Sequence, residues 1–335
     1  MRIAFFETSD SDKKYLSEKL SSHELVFFDE PLSENNVALA KGCEVISVFI
    51  YSVINRNVID ALPELKSITT RSTGFDHIDT EYCEQKNINV QNVPFYGENT
   101  VAEHTFALIL ALSRNVHKSY ARGLRGDFSI EGLMGFDLKD KTLGVIGTGH
   151  IGLHVIRIAK GFGMHVLAFD TAKNNFLSEV LHFNYAPLDT VLSKSDIVTL
   201  HVPYNPHTHH LINGENLSKM KPGSLLINTS RGGIVESEAM IEALDKGILG
   251  GAGLDVIEGE EQIKEENECL KGDCVHKGKE HSDIKQDLLS RENVVYTPHI
   301  GFYSKEALER ILDTTISNIN QYQANKKIEN CVTVS

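Results

Sequence analysis

Three polar residues in the second half of the chain, Arg231, Glu260 and His299, combine the side chains needed to bind a carboxylate and to transfer a proton. A planar arginine binds a carboxylate through two parallel hydrogen bonds and polarises a neighbouring carbonyl. A histidine titrates near neutral pH, and a carboxylate beside it raises the histidine pKa and orients the ring. Residue type alone leaves two alternatives open, an arginine in a surface ion pair and a purely structural histidine.

Each of the three follows a strand-like apolar run: Ser224 to Asn228, Gly251 to Val256 and Val294 to Tyr296. In open parallel sheets, ligands bind beyond the carboxyl ends of the strands. We therefore expect the three side chains at one edge of a sheet.

A glycine-rich turn joins a predicted strand, Thr142 to Ile146, to a predicted helix, Ile151 to Lys160. The first glycine, Gly147, permits the tight turn, and Gly149 lets the backbone approach a pyrophosphate. Gly152 lets the helix pack on the strand, and the helix N-terminus faces the phosphate charge. The pattern predicts dinucleotide binding, and an ordinary glycine turn is the alternative.

An acidic residue, Asp170, ends the next predicted strand (Met164 to Phe169), 18 positions after Gly152. A carboxylate at this place accepts hydrogen bonds from the adenosine ribose and would repel a 2′-phosphate. The next two residues supply no arginine, and Lys173 is the only cation nearby. The cofactor is therefore predicted to be NAD rather than NADP.

Strands and helices alternate in two series, which predicts parallel sheets with covered faces. The first series has strands at Arg2 to Phe6, Glu24 to Phe28, Val45 to Ile50, Lys66 to Thr70 and Asn89 to Val93. The second runs from Lys141 to about Thr297 and includes Ile197 to Leu200. The glycine turn opens the second of two α/β units.

Two helices are expected to connect the units. Thr100 to Glu103 has capping-box spacing and predicts a helix from Val101 to about His117. A last helix, Ser304 to about Lys326, has one apolar face and is expected to return to the first unit. The predicted domains are 1–98 with 300–335, and 99–299.

Composition restricts the class of protein. A chain of 335 residues suits two domains, and 41% hydrophobic with 24% charged residues is typical of a globular protein. The net charge of −13 argues against nucleic-acid binding. The longest apolar run, Phe106 to Leu112, is too short to span a membrane, and Met1 to Glu7 is too short for a signal peptide. We expect a cytoplasmic protein.

The five cysteines are scattered, which indicates reduced thiols rather than a disulfide framework. One charged loop holds residue types that zinc prefers: Cys269, Cys274, His276 and His281. Their spacing matches no closed zinc site, so no metal is predicted.

Several segments over nearly the whole chain resemble the NAD-dependent D-isomer-specific 2-hydroxyacid dehydrogenases, and among them the D-lactate dehydrogenases. They are Val93 to His104, Gly147 to Gly152, Asn228 to Gly233, Gly253 to Glu260 and Thr297 to His299. The resemblance implies an α/β fold of two doubly wound parallel-sheet domains, a Rossmann NAD-binding domain inserted into a discontinuous flavodoxin-like substrate domain.

The resemblance also implies roles for the three polar residues. Arg231 would bind the substrate carboxylate, and His299 would be the acid when a 2-keto acid is reduced and the base in the reverse direction. The partner of His299 is expected five residues after Asp255, which selects Glu260 over Glu258 and Glu261.

Further contacts follow from the resemblance. Cofactor contacts are implied for Gly147, Gly149, His150, Ile151, Gly152, Asp170, Val202, Pro203, Thr208, Thr229, Ser230 and Asp255. Substrate contacts are implied for Thr73, Gly74, Tyr96, Arg231, His299 and Phe302, although Tyr96 could equally be a packed aromatic. Phe302, with Phe49 or Tyr51, would limit substrate size.

The expected activity is the NAD-dependent interconversion of a D-2-hydroxy acid and its 2-keto acid, D-lactate and pyruvate first. Alternatives are dehydrogenases for larger 2-keto acids, glyoxylate or hydroxypyruvate, or phosphite, and an NAD(H)-sensing protein like the transcriptional corepressors. A homodimer is expected through the NAD-binding domain, with Val101 to His117 as a candidate contact, although this helix could equally be core.

Overall fold

The computed structural model describes residues 1–259, 286–324 and 329–332. Glu260 and the Cys269, Cys274, His276 and His281 group lie outside these ranges. The chain divides into a first unit, residues 1–96 with the described part of 304–335, and a second unit, Gly97–Tyr303. The domain boundaries predicted from the sequence lie between residues 98 and 99 and between residues 299 and 300.

The first unit is built on a five-stranded sheet, counted over the described residues, in the order β2-β1-β3-β4-β5. All of its pairings are parallel, and the order is that of flavodoxin-like folds, as predicted. Its elements are β1 (Arg2–Phe5), α1 (Asp10–Lys19), β2 (Glu24–Phe27), a 3₁₀ helix (Val37–Ala40), β3 (Val45–Val48), α2 (Arg56–Asp60), β4 (Ser67–Thr70), α3 (Thr80–Gln85) and β5 (Asn89–Gln91).

The second unit begins with two helices and continues with alternating strands and helices. Its elements are α4 (Glu98–Ser113), α5 (Val116–Gly123), β6 (Thr142–Ile146), α6 (His150–Gly161), β7 (His165–Phe169), α7 (Asn175–Val180), β8 (Asn184–Tyr185), α8 (Leu188–Lys194), β9 (Ile197–Leu200), α9 (Gly214–Ser218), β10 (Ser224–Asn228), a 3₁₀ helix (Gly232–Ile234), α10 (Ser237–Asp245), β11 (Leu249–Leu254) and β12 (Val294–Tyr296).

The sheet of the second unit has seven strands within the described ranges, in the order β12-β11-β10-β9-β6-β7-β8, all parallel. From β6 the chain builds outward to β8 and then crosses back to β9 on the other side. This reversal is the topological switch point of a Rossmann fold, and ligands bind at the carboxyl ends of the strands there. The predicted fold class is confirmed.

Neighbouring residues of a buried strand supply two different cores, because strand side chains alternate between the faces of the sheet. Val145 packs in a cluster with residues of α4 and α6, whereas Ile146 packs in a cluster with residues of α8 and α10. In the first unit, Ile3 and Ala4 divide between two clusters in the same way. Both sheets are therefore covered on both faces.

The predicted bounds of the helix before the glycine turn are wrong at both ends. Helix α4 begins at Glu98 with Gly97 as its N-cap, so Thr100 lies inside the first turn and does not cap it. The Glu103 carboxylate accepts a hydrogen bond from Asn99 instead of closing a capping box. At the other end, Asn115 adopts a left-handed backbone (φ 51°) between α4 and α5.

The last helix, α11 (Lys305–Gln323), belongs to the first unit. Its N-cap Ser304 accepts a hydrogen bond from the Ala307 amide (3.2 Å). The Tyr15 hydroxyl donates to Asp313 (2.7 Å), and Leu312 packs in the same cluster as residues of α1 and β3. This helix makes the first unit discontinuous in sequence.

Strand β11 is packed so tightly that glycine is required within it. A Cβ on Gly253 would lie 2.9 Å from Ile227 Cδ1 and 3.0 Å from Leu108 Cβ. We expect Gly253→Ala to lower the free energy of unfolding by about 1–3 kcal/mol through overpacking. Gly161→Ala, at the end of α6 with open space at its Cβ, is the control and should be neutral or stabilising by up to about 1 kcal/mol. Urea unfolding of both variants checks this, and equal stability would contradict the packing account.

Candidate active site

In the glycine turn after β6, Gly147 and Gly152 are packed against other backbone atoms, whereas Gly149 faces open space. Gly147 has φ +95°, and a Cβ there would lie 2.4 Å from the His201 carbonyl oxygen. A Cβ on Gly152 would lie 2.0 Å from the Gly147 carbonyl oxygen, so helix and turn are in contact. A Cβ on Gly149 would meet no atom of the described residues within 4 Å. Gly149 is where another molecule can approach the backbone.

The N-terminus of α6 lies at this open side. Its N-cap is Gly149, which has no side chain to cap the helix. The first amides of a helix lack intrahelical partners and carry the positive end of its dipole. His150 and Ile151 are the first two helical residues, with His150 exposed and Ile151 half-buried. A 12-residue helix whose N-cap is a glycine fits the pyrophosphate of a dinucleotide.

Asp170, directly after β7, is fixed beside the glycine turn. One carboxylate oxygen accepts hydrogen bonds from the Thr148 amide (2.6 Å) and hydroxyl (2.9 Å), and the other accepts from the Ala172 amide (2.8 Å). Burial alone would raise the pKa of Asp170, but these hydrogen bonds hold it below its ordinary value. The ionised carboxylate fits a ribose diol and disfavours a 2′-phosphate, so this donor and acceptor set fits NAD.

The segment after β9 forms the opposite side of the glycine turn. Burial lowers the pKa of His201 to about 3, so its ring is neutral at physiological pH, and Nε2 lies 2.9 Å from the Thr199 hydroxyl. Thr208 accepts from the Asn205 amide (2.8 Å) and donates to the Pro203 carbonyl (2.7 Å). Thr208 therefore shapes the loop that includes Val202 and Pro203.

Arg231 follows β10, and the side chains of Asn228 and Ser230 fix the backbone around it. The Asn228 side chain donates to the Arg231 carbonyl (2.9 Å) and accepts from the Ser230 amide (3.0 Å). The Ser230 hydroxyl donates to the Leu200 carbonyl (2.8 Å), and the Thr229 hydroxyl lies 3.1 Å from that of Thr105. Arg231 is half-buried as a residue, and its guanidinium donates to the Ser230 carbonyl (2.9 Å).

Asp255, directly after β11, binds the turn that follows β12. Its side chain is buried, and one oxygen accepts from the Thr297 hydroxyl (2.5 Å) and the Ile300 amide (2.9 Å). The other oxygen accepts from the Gly301 amide (2.8 Å), and the Asp255 carbonyl accepts from the His299 amide (2.9 Å). Asp255 was predicted at the cofactor. The structure gives its carboxylate this supporting role, and direct cofactor contact stays a prediction.

His104 is part of the same network and was not predicted to be a functional residue. Its Nε2 lies 2.9 Å from the Thr297 hydroxyl and 3.3 Å from the Asp255 carboxylate. Burial would raise the pKa of Asp255, but the hydrogen bonds from His104 and Thr297 and the attraction to His104 lower it. His104 ends one of the segments that carry the family resemblance, and that was the only sequence signal for it.

The backbone of His299 is left-handed, with φ +54°. For a residue other than glycine this conformation is uncommon and persists where surrounding contacts enforce it, often at functional sites. Here the contacts are those of Asp255. His299 is half-buried as a residue, and its ring meets the Phe302 ring edge-to-face at 6.4 Å between centroids.

The second unit brings together the carboxyl ends of three adjacent strands. Arg231 follows β10, Asp255 follows β11 and His299 follows β12. Glu260, the predicted partner of His299, lies outside the described residues. The alternative Glu258 is described, and its carboxylate binds His210 (2.5 Å). An arginine, an ionised carboxylate and a histidine at one sheet edge can bind a carboxylate and transfer a proton.

The remaining predicted substrate residues lie in the first unit. The Thr73 hydroxyl donates to the Val93 carbonyl (2.9 Å), and the Tyr96 carbonyl accepts from the Arg310 side chain (2.7 Å). Gly74 accepts from the Ser72 hydroxyl through its carbonyl (2.7 Å). The amides of Phe49 and Tyr51 donate to the Glu7 carboxylate (2.8 and 2.9 Å). Their substrate contacts remain predictions.

Neither a metal-binding cluster nor a membrane-spanning helix is found among the described residues. No group of three or more His, Cys, Asp or Glu residues in these ranges could hold a metal ion. No helix in the same ranges is long and apolar enough to cross a membrane.

Known proteins resemble this chain over almost its full length. A family model described as "D-isomer specific 2-hydroxyacid dehydrogenase, NAD binding domain" matches residues 106–301. A 2-hydroxyacid dehydrogenase homolog of Haemophilus influenzae is 39% identical, with 99% of each chain covered. The D-lactate dehydrogenase of Escherichia coli is 37% identical, with 98% of this chain and 99% of the relative covered. The structure of D-lactate dehydrogenase from Aquifex aeolicus complexed with NAD and lactic acid superposes with a TM-score of 0.88 at 36% identity, covering 99% of each chain.

Proposed function

Because the chain belongs to the D-isomer-specific 2-hydroxyacid dehydrogenase family and is an NAD-dependent oxidoreductase of D-2-hydroxy acids, we propose that its substrates are D-lactate and pyruvate. The observation that carries the proposal is the full-length similarity to the Aquifex aeolicus enzyme, whose structure contains NAD and lactic acid. The bulky Phe302 beside the His299 ring supports a small substrate.

We assign the substrate carboxylate to Arg231. The guanidinium can form two parallel hydrogen bonds to a carboxylate, and this fixes the orientation of the neighbouring carbonyl. The hydrogen bonds of Asn228 and Ser230 hold the Arg231 backbone at the end of β10 and support this assignment. Gly147, Gly149, Gly152 and Asp170 would hold NAD, which when bound supplies or accepts the hydride.

We assign proton transfer to His299. In pyruvate reduction the imidazolium would donate a proton to the carbonyl oxygen, and in lactate oxidation the neutral ring would accept the hydroxyl proton. The turn held by Asp255 gives His299 a defined orientation before substrate binds. Glu260 would stabilise the imidazolium, as the family resemblance implies.

A substrate panel tests the proposed reaction. NADH oxidation should be fastest with pyruvate and slower with hydroxypyruvate and longer 2-keto acids, because Phe302 restricts the space for the side chain. NAD reduction with phosphite should be absent. Preference for a longer 2-keto acid would overturn the lactate assignment, and tight NADH binding without turnover of any substrate would favour an NAD(H)-sensing role.

Two variants separate substrate binding from proton transfer. Arg231→Lys keeps the charge but loses the two-pronged geometry, so we expect the KM for pyruvate to rise at least about tenfold. His299→Gln cannot titrate, so we expect kcat to fall at least about 100-fold. His165→Gln, at the amino end of β7, is the control and should change neither constant. Wild-type kcat in His299→Gln would disprove the proton-transfer assignment.

We also propose a homodimer formed through the second unit. The predicted contact helix α4 is mostly core, with Phe106, Leu108 and Ile109 buried. The segment after it exposes a row of large apolar side chains: Val116, Tyr120, Leu124, Phe128, Ile130 and Met134. Phe128 and Ile130 are each 86% exposed, and such a patch is typical of a protein interface.

We place the enzyme in the cytoplasm, where thiols such as Cys43, Cys83 and Cys331 stay reduced; cell fractionation tests this.

Sedimentation equilibrium tests the dimer. The wild-type protein should sediment with twice the chain mass, and Phe128→Asp combined with Ile130→Asp should give a monomer because each chain would bury two charges in the interface. Phe176→Asp, at an exposed phenylalanine outside the row, should leave the dimer intact. A wild-type monomer would rule out this assembly.

A further inference from the structure

A hydrogen-bonded pair, His210 and Glu258, lies beside the Arg231 segment and has no part in the roles assigned above. His210 Nε2 and a Glu258 carboxylate oxygen are 2.5 Å apart, and both side chains are about one-third exposed (32% and 29%). The partners come from different loops, His210 from the loop after β9 and Glu258 from the segment after β11. The pair therefore joins the two loops on either side of β10.

Glu258 makes a second connection through its other oxygen. That oxygen accepts a hydrogen bond from the amide of Ser237, the first residue of α10 (3.2 Å). The N-cap residue of α10, Glu236, provides no side-chain cap, so Glu258 takes this role from a distant part of the chain. Burial would raise the pKa of Glu258, but the hydrogen bonds from His210 and Ser237 lower it, and the carboxylate is ionised at neutral pH.

Gly232 and Gly233 pass between the two joined loops immediately after Arg231. A Cβ on Gly232 would lie 2.2 Å from the Ile257 carbonyl and 2.4 Å from the Glu258 amide nitrogen. A Cβ on Gly233 would lie 2.9 Å from the Tyr204 ring. The backbone after Arg231 therefore touches the Glu258 segment on one side and the His210 loop on the other.

Backbone hydrogen bonds also connect the His210 loop to the segment after Arg231. The His210 amide donates to the Gly233 carbonyl (2.9 Å), and the Ile212 amide donates to the Ile234 carbonyl (3.0 Å). His210 itself has a left-handed backbone, with φ +48°. As with His299, the amide of a non-glycine residue with an uncommon backbone conformation donates a hydrogen bond to a carbonyl of an adjacent segment.

We propose that the His210–Glu258 pair is a positioning clamp for Arg231, which sets the affinity of the enzyme for the substrate carboxylate. This inference rests on the proposed carboxylate-binding role of Arg231. Two-pronged binding of a carboxylate depends on the placement of the guanidinium, and small displacements weaken it. Neither clamp residue is assigned to proton transfer. Loss of the clamp should therefore raise the KM for the substrate and leave kcat nearly unchanged.

Steady-state kinetics of four clamp variants tests the proposal. His210→Ala and Glu258→Ala should each raise the KM for pyruvate about tenfold while kcat stays within about threefold of wild type. The double variant should be no worse than the poorer single variant, because both remove the same interaction. His210→Gln can still donate to Glu258 and should restore most of the wild-type KM.

A control pair is available in the same unit. Lys246 and Glu242 are also 2.5 Å apart but are mostly exposed, and Lys246→Ala should leave the KM for pyruvate unchanged. NADH affinity, measured by fluorescence, should stay within about threefold in the clamp variants because the glycine turn and Asp170 are untouched. Thermal unfolding is recorded for every variant.

The outcomes are distinguishable. A lower melting temperature with an unchanged KM would reduce the pair to a stabilising contact and overturn the proposal. Equal losses of pyruvate and NADH affinity would overturn it as well, because the clamp would then act on the cofactor loop. If wild-type enzyme shows no activity with pyruvate, or Arg231→Lys leaves its KM unchanged, the proposed function fails first and independently of the clamp.

Discussion

The buried carboxylate of Asp255 is the interaction on which the candidate site depends. It accepts hydrogen bonds from Thr297, Ile300 and Gly301, and its carbonyl accepts from His299. A buried carboxylate needs such donors, because burying the charge without them would be strongly unfavourable. The sheet fixes Asp255 at the end of β11, so the turn after β12 takes its shape from the neighbouring strand. His299 inherits its orientation from this turn.

A similar arrangement is found at the next strand. The segment after β10 is held by the side chains of Asn228 and Ser230 and touches the loops on both sides through Gly232 and Gly233. The short segments after β10, β11 and β12 thus lie side by side, and each is fixed by hydrogen bonds to an adjacent segment. The proposed chemistry needs Arg231 and His299 at a constant distance and orientation, and this network fixes the backbone of both residues. Such preorganisation lowers the entropy lost when substrate binds.

Local patterns in the sequence predicted the features that depend on local physics. The glycine turn, Asp170, the order of strands and helices and the return of α11 follow from periodicity, turn chemistry and apolar faces. The short capping pattern at Thr100 was misleading, because the N-cap of α4 is Gly97, three residues earlier. His104 and the His210–Glu258 pair were missed because their partners are distant in sequence, 193 positions for His104 and Thr297 and 48 for the pair. No spacing rule relates such residues before the sheet brings them together.

The hydrogen bonds of Asp170 couple the preference for NAD over NADP to the structure of the glycine turn. Both the amide and the hydroxyl of Thr148 donate to its carboxylate, and Thr148 lies within the turn itself. A change of this acid to a neutral or basic residue would remove the repulsion of a 2′-phosphate. A basic or apolar residue in its place would also leave the buried Thr148 amide without its acceptor, whereas the Thr148 hydroxyl would keep the Tyr185 hydroxyl, 2.9 Å away, as its partner. Redesign of this enzyme toward NADP would therefore require a new acceptor for the Thr148 amide as well as a new cation, because an exchange of Asp170 alone would remove a hydrogen bond that holds the glycine turn.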